Sequence, residues 1–248
     1  MAASYRRAHS ARAARPVFAA LVVLTASTAL PESAAEPELT ATEQRWLAGA
    51  TPVVAWALHQ GLPVEILVLP QARAGDAPLA LAYTDDHRCE LVFAMRGNPA
   101  AERTLETIPA PLQQAVLEAM TAHEIAHCWR HRDGAFSSLP AGFSDAPDAI
   151  EARQPTAELA AIAREMRVTR REEAFADLVG LAWTRRHHAE GFAEVLAWFD
   201  QVRADETAHG FHDTRHWLAL AREPQAFASA DGPFAQAMSL WRQGLSDD

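Results

Sequence analysis

The stretch His123-Glu124-Ile125-Ala126-His127 decides how the rest of the chain is read. Four residues advance an α-helix by roughly 400°, so the two imidazoles leave nearly the same face and Glu124 lies beside them. Histidines placed this way can share one metal ion, and a carboxylate next to that metal's water is positioned to take a proton from it. The turn sits late in an apolar periodic segment that begins at Pro111, passes Leu112, Val116, Leu117 and Met120, and reaches His131 before Gly134. This pattern predicts a core-facing helix over 111–132 with polar ligands towards one end. The plain alternative is a pair of satisfied interior histidines beside a solvated Glu124.

Downstream comes Glu173-Ala174-Phe175-Ala176-Asp177, followed by Gly180. On a helix Glu173 and Asp177 share a face at i and i+4, so one carboxylate can bind a metal while the other accepts a hydrogen bond from a ligand imidazole. Thr169 and Glu172 have the spacing of a capping box, and Phe175, Leu178, Val179, Leu181 and Ala182 supply an apolar face, which predicts a helix over 170–188. Taken alone, the two carboxylates read as surface groups near Arg170, Arg171, Arg185 and Arg186. Paired with the upstream turn, they read as parts of a metal site.

H-E-x-x-H followed by E-x-x-x-D on a second helix resembles the gluzincin metallopeptidases. The form Glu-Ala-Phe-Ala-Asp-Leu-Val-Gly is most similar to the family that holds the HtpX heat-shock protease, the BepA-like periplasmic proteases and the CAAX prenyl endopeptidase. The resemblance implies that His123, His127 and Glu173 are zinc ligands, Glu124 the general base, and Asp177 the partner of a ligand histidine. It covers only about thirty residues. It also implies that a histidine or arginine further along holds the anionic tetrahedral intermediate, for which His212 and Arg215, in the polar run from His209, are the positional candidates. The alternative for that run is that Asp213 or Thr214 caps the next helix.

Two other ligand sets fail on spacing. The metzincin pattern needs glycine and a third histidine where this chain has Arg130 and Asp133. His131 lies roughly 12 Å along the helix axis from His123, too far to share its metal, and reads as an exposed residue near the helix end.

At the start of the chain, Arg6, Arg7, Arg12 and Arg15 precede an apolar stretch from Val17 to Leu30, and Ser33, Ala34 and Ala35 suit cleavage before Glu36. Residues 1–35 therefore read as a secretory signal peptide, with an uncleaved N-terminal anchor as the alternative, and residues 36–248 as one domain. No later segment is long and apolar enough to span a bilayer. Every basic residue is arginine, which suggests G+C-rich coding and a bacterial source, and so a periplasmic or secreted protein. The formal charge of −10 becomes −13 without the leader, which argues against nucleic acid or anionic lipid as partner. Cys89 and Cys128 can pair in an oxidising compartment, or remain as buried thiols.

Residues 37–60 read as a helix ended by Gly61 and Pro63, and 64–69, 79–83 and 89–95 as short strands. After a turn at Asn98 and Pro99 the sequence is almost wholly helical, with helices predicted over 111–132, 156–167, 170–188, 191–205, 214–222 and 234–243. A small three-stranded sheet followed by helices is α+β, and the resemblance makes it zincin-like. Zincins bind extended substrate along an edge strand beside the active helix, and by that analogy 89–95 is the candidate. The stretch 133–155, rich in Gly, Pro, Ser, Asp and Ala, is long for a connection and reads as a mobile flap over the cleft or as unstructured filler. Trp129, Trp183, Trp198, Trp217 and Trp241 read as core.

Together these readings predict an exported zinc metallopeptidase acting on a protein or peptide substrate. Two imidazoles, one carboxylate and an open position favour zinc over other metals. The alternative is a catalytically silent zinc-binding assembly or binding factor of the periplasm. A structural zinc normally has four protein ligands, which favours the enzyme.

Overall fold

Thr40 opens the first helix, α1 (Ala41–His59), with a capping box: its side chain accepts the Glu43 amide while the Glu43 carboxylate accepts the Thr40 amide. A computed structural model describes residues 38–84, 86, 88–204, 210–223, 225–229 and 231–246, so the leader reading and His209 lie outside the described residues. Gly61, with φ at +72°, turns the chain from α1 into strand β1 (Val64–Pro70). Strands β2 (Leu79–Tyr83) and β3 (Cys89–Arg96) follow.

The sheet order is β1-β3-β2, with β1 parallel and β2 antiparallel to β3. Cys89, Leu91, Phe93 and Met95 alternate inward along β3, joined by Leu79 and Leu81 of β2, and this face packs on the helices. The architecture is α+β as expected, but the strand order corrects one expectation. The 89–95 strand is central, and β2 is the edge strand that lies against the helix carrying His123.

Asn98 caps α2 (Pro99–Thr107), with proline in the first turn, where the sequence had suggested a simple turn. A 3₁₀ turn over Ala110–Leu112 then leads into α3 (Gln113–Arg132). Short α4 (Ala149–Ala152) precedes α5 (Ala157–His187), and α6 (Phe192–Ala204), α7 (Arg215–Ala221) and α8 (Pro233–Leu245) follow among the described residues. The helices expected over 156–167 and 170–188 are one continuous 31-residue helix, capped at Thr156. Thr169 therefore lies within a helix, and Glu172 is free to serve elsewhere.

Helices α3 and α5 pack side by side and antiparallel: Glu118 meets Trp183, His123 meets Asp177, and Arg130 meets Glu172. Gly180 makes the close approach possible, because a Cβ there would stand 2.6 Å from the carbonyl oxygen of Ala119. Trp46, Trp217 and Trp241 are fully buried and Trp183 nearly so, while Trp129 and Trp198 are partly buried against this core. Cys89 and Cys128 form a disulfide that ties the start of β3 to the turn after His127.

The segment 133–155 is tied to the body along its length. Arg130 donates to the Ser138 carbonyl at 2.6 Å, and Arg242 donates to that of Ala141 at 3.1 Å. Buried Arg167 holds Asp145 at 2.9 Å and Glu151 at 2.8 Å. The expectation of loose filler is corrected by these anchors, most of which come from α3 and α5.

Candidate metal centre

His123 and His127 leave α3 one turn apart, as the i, i+4 spacing demands, and Glu173 reaches them from α5. His123 Nε2 and His127 Nε2 are 3.3 Å apart, and the Glu173 carboxylate oxygens lie 3.4 Å from the first and 3.5 Å from the second. All three side chains are buried, and among the described residues theirs is the one group placed to hold a metal ion. The buried His-His-Glu cluster can bind a metal. Glu173 and Asp177, read alone as possible surface groups, are instead 1% and 0% exposed.

Asp177 organises the polar groups behind the His-His-Glu cluster. It accepts from His123 Nδ1 at 2.9 Å, from Arg203 Nε at 2.8 Å and Nη2 at 2.7 Å, and from the Thr214 hydroxyl at 2.5 Å. Burial alone would raise its pKa, but the Arg203 charge and the hydrogen bonds from His123 and Arg203 hold it down at about 2. With Nδ1 engaged by Asp177, the Nε2 of His123 is the nitrogen turned to the cluster. Burial would lower the pKa of His123, yet the hydrogen bonds to Asp177 and Glu173 raise it to about 10. His127 is pushed down by burial to about 3, although the nearby Glu173 charge opposes the shift. The Glu173 carboxyl is held far below its ordinary range despite burial, by His123, His127 and Arg203.

Glu124 is buried, and burial raises its carboxyl pKa to about 7 although the Leu81 amide of the edge strand reaches it. Its Oε2 has no hydrogen-bond partner among the described residues. It lines a small recess together with His123, Arg203 and the apolar side chains of Met120, Trp198, Phe199 and Val202.

Of the two candidates for holding an anionic intermediate, His212 stands at the cluster, its Nε2 3.9 Å from a Glu173 oxygen, and burial lowers its pKa. The structure does not bring Arg215 there. That side chain is half-exposed and paired with Asp213 at 2.7 Å. Thr214 precedes α7 without a side-chain capping bond and serves Asp177 instead.

Arg203 escaped the sequence reading. It is buried on α6, bound to Asp177 and Glu173, and its Nη1 is buried without a hydrogen-bond partner among the described residues. The available signal was positional. Arg203 lies four residues after Phe199 on the stripe that carries Val195, Leu196 and Phe199, where an arginine is expensive to bury unless it is paired.

Comparison with known proteins returns no match to a protein-family model, a curated protein or a solved structure.

Proposed function

We propose that this chain is a zinc-dependent metallopeptidase of gluzincin type, working outside the cytoplasm. The carrying observation is that His123 Nε2 and His127 Nε2 stand 3.3 Å apart, with one Glu173 oxygen 3.4 Å from the first and the other 3.5 Å from the second, beside a buried carboxylate, Glu124, that has an oxygen to spare. Tetrahedral zinc with bonds of about 2.0–2.1 Å needs ligand atoms roughly 3.3 Å apart, and three protein ligands leave its fourth position open. When bound, zinc supplies a Lewis acid and lowers the pKa of water towards neutrality.

Each remaining role falls to this chain's own groups. Glu124, buried beside the cluster with an oxygen to spare, would accept the proton from the attacking water and return it to the departing amine. His212 donates to the oxyanion that develops on the attacked carbonyl, and Arg203 Nη1 offers a fixed positive donor to a substrate carbonyl in the recess. Extended peptide lies along the free edge of β2, whose Leu81 amide already reaches Glu124.

The Cys89–Cys128 disulfide supports an oxidising compartment, in keeping with the leader-like residues 1–35. No helix among the described residues is long and apolar enough to cross a membrane.

Elemental analysis beside peptide cleavage tests the reading. Expected are one zinc per chain, lost in Glu173→Ala, and cleavage abolished in Glu124→Gln with the metal retained. Zinc with no cleavage of any unfolded protein would favour a silent zinc-binding assembly factor.

A further inference from the structure

Beyond His127, away from the recess, three rings pack against one another. The Tyr83 ring stacks on His131 at 3.8 Å, and Phe136 stands edge-on to Tyr83 at 5.9 Å, to His131 at 6.3 Å and to His127 at 6.1 Å. All three wall residues are half-buried. His131, expected to be simply exposed, is thus part of a wall that reaches a metal ligand.

Phe136 is held where it is by an unusual backbone. Ser137 has φ at +58°, a left-handed conformation that is unfavourable for a non-glycine residue. Its amide donates to Glu172 at 2.7 Å, and Glu172 is locked by Arg130 at 2.5 Å. Both charged side chains are buried, and Glu172 adjoins the ligand Glu173. A strained residue pinned by a buried ion pair beside a metal site is an arrangement that fixes a neighbouring side chain for use.

The strand geometry says what the wall would meet. Strand β2 runs alongside α3, with Leu81 level with Glu124 and Tyr83 two residues on, stacked on His131. A chain added to the β2 edge advances about 3.3 Å per residue and repeats its side-chain direction every second residue. We propose that Tyr83, His131 and Phe136 form a specificity subsite that binds a bulky apolar or aromatic side chain of an extended peptide, two residues from the one seated beside Glu124. The proposal rests on the peptidase reading and adds a second selecting position to it.

The test is a set of peptides of one length with Phe, Leu, Ala or Asp at each position flanking the cleavage point, scored by kcat/KM. The wild type is expected to prefer Phe or Leu over Ala by roughly tenfold or more at one position two residues from the bond-flanking residue. In Phe136→Ala that preference should fall to about twofold, mainly through KM, while Phe136→Leu keeps part of it. An unchanged preference in Phe136→Ala, or a wild type indifferent at that position, overturns the subsite and leaves the peptidase reading standing. A wild type that cleaves no peptide in the set overturns both.

Discussion

Glu172 and Glu173 are neighbours on α5, both buried, and they face different partners: Glu172 meets Arg130 and the Ser137 amide, while Glu173 meets His123 and His127. Adjacent helical residues diverge by roughly 100°, so one dipeptide serves both the His123–His127 cluster and the segment that follows α3.

Removing Glu172 leaves the Arg130 guanidinium buried against Trp241 and Phe175 with its carboxylate partner gone. Breaking such a pair costs about 3–5 kcal/mol. Urea unfolding of Glu172→Ala should show a loss of that size, and a loss under 1 kcal/mol would mean that the pair does not fasten the segment after α3.

Asp177→Asn keeps the shape of the side chain and removes its charge. Outer-shell partners of this kind contribute about 10–100-fold to metal affinity. Competition with a zinc chelator should show weakening in that range, with one metal still bound at saturation. Unaltered affinity would reduce Asp177 to a counter-ion for Arg203.

The disulfide closes a sequence separation of 39 residues, so its removal should cost roughly 4 kcal/mol in the chain-entropy view. A Cys89→Ser/Cys128→Ser double variant, compared with the oxidised wild type by thermal unfolding, measures it. Because Cys128 follows His127 directly, metal affinity in that variant should fall as well.

Acid should destabilise the metal-free protein in a defined window. The Asp177 carboxyl sits at about 2, against 3.8 for an unperturbed aspartate, so between these values the unfolded chain binds the extra proton. Its contribution is complete above about pH 4 and lost as pH falls towards 2. A plot of Tm against pH should steepen below pH 4, and the slope should flatten in Asp177→Asn.

Much of this site was legible because its residues are tied to helical period. His123, Glu124 and His127 announce themselves within one turn, and Glu173 and Asp177 within another. Features set by long-range packing were not. Thr169 and Glu172 make a plausible local cap, but Glu172 is drawn into the core by Arg130, 42 residues away, and the helix runs on through both. Asn98 and Pro99 read as a turn and are a helix start, since the same residues suit either. Strand order depends on pairing across the sheet, so nothing local distinguished β2 from β3 as the edge. Arg203 came to the site from a helix whose sequence looks like ordinary amphipathic packing.

At about 1.5 Å per residue, α5 is a rod roughly 46 Å long. One stiff member carries Glu173 and Asp177, anchors the segment behind Phe136 through Glu172 and Arg167, and meets α3 without clearance at Gly180. Glu173 and the anchor behind Phe136 are therefore registered to a single datum. On the proposed peptidase reading, adjustment to peptides of different bulk would fall to the opposite bank, where Trp198, Phe199 and Val202 of α6 face the recess, and variation of those three positions should change the relative kcat/KM for peptides of different bulk while zinc content stays the same.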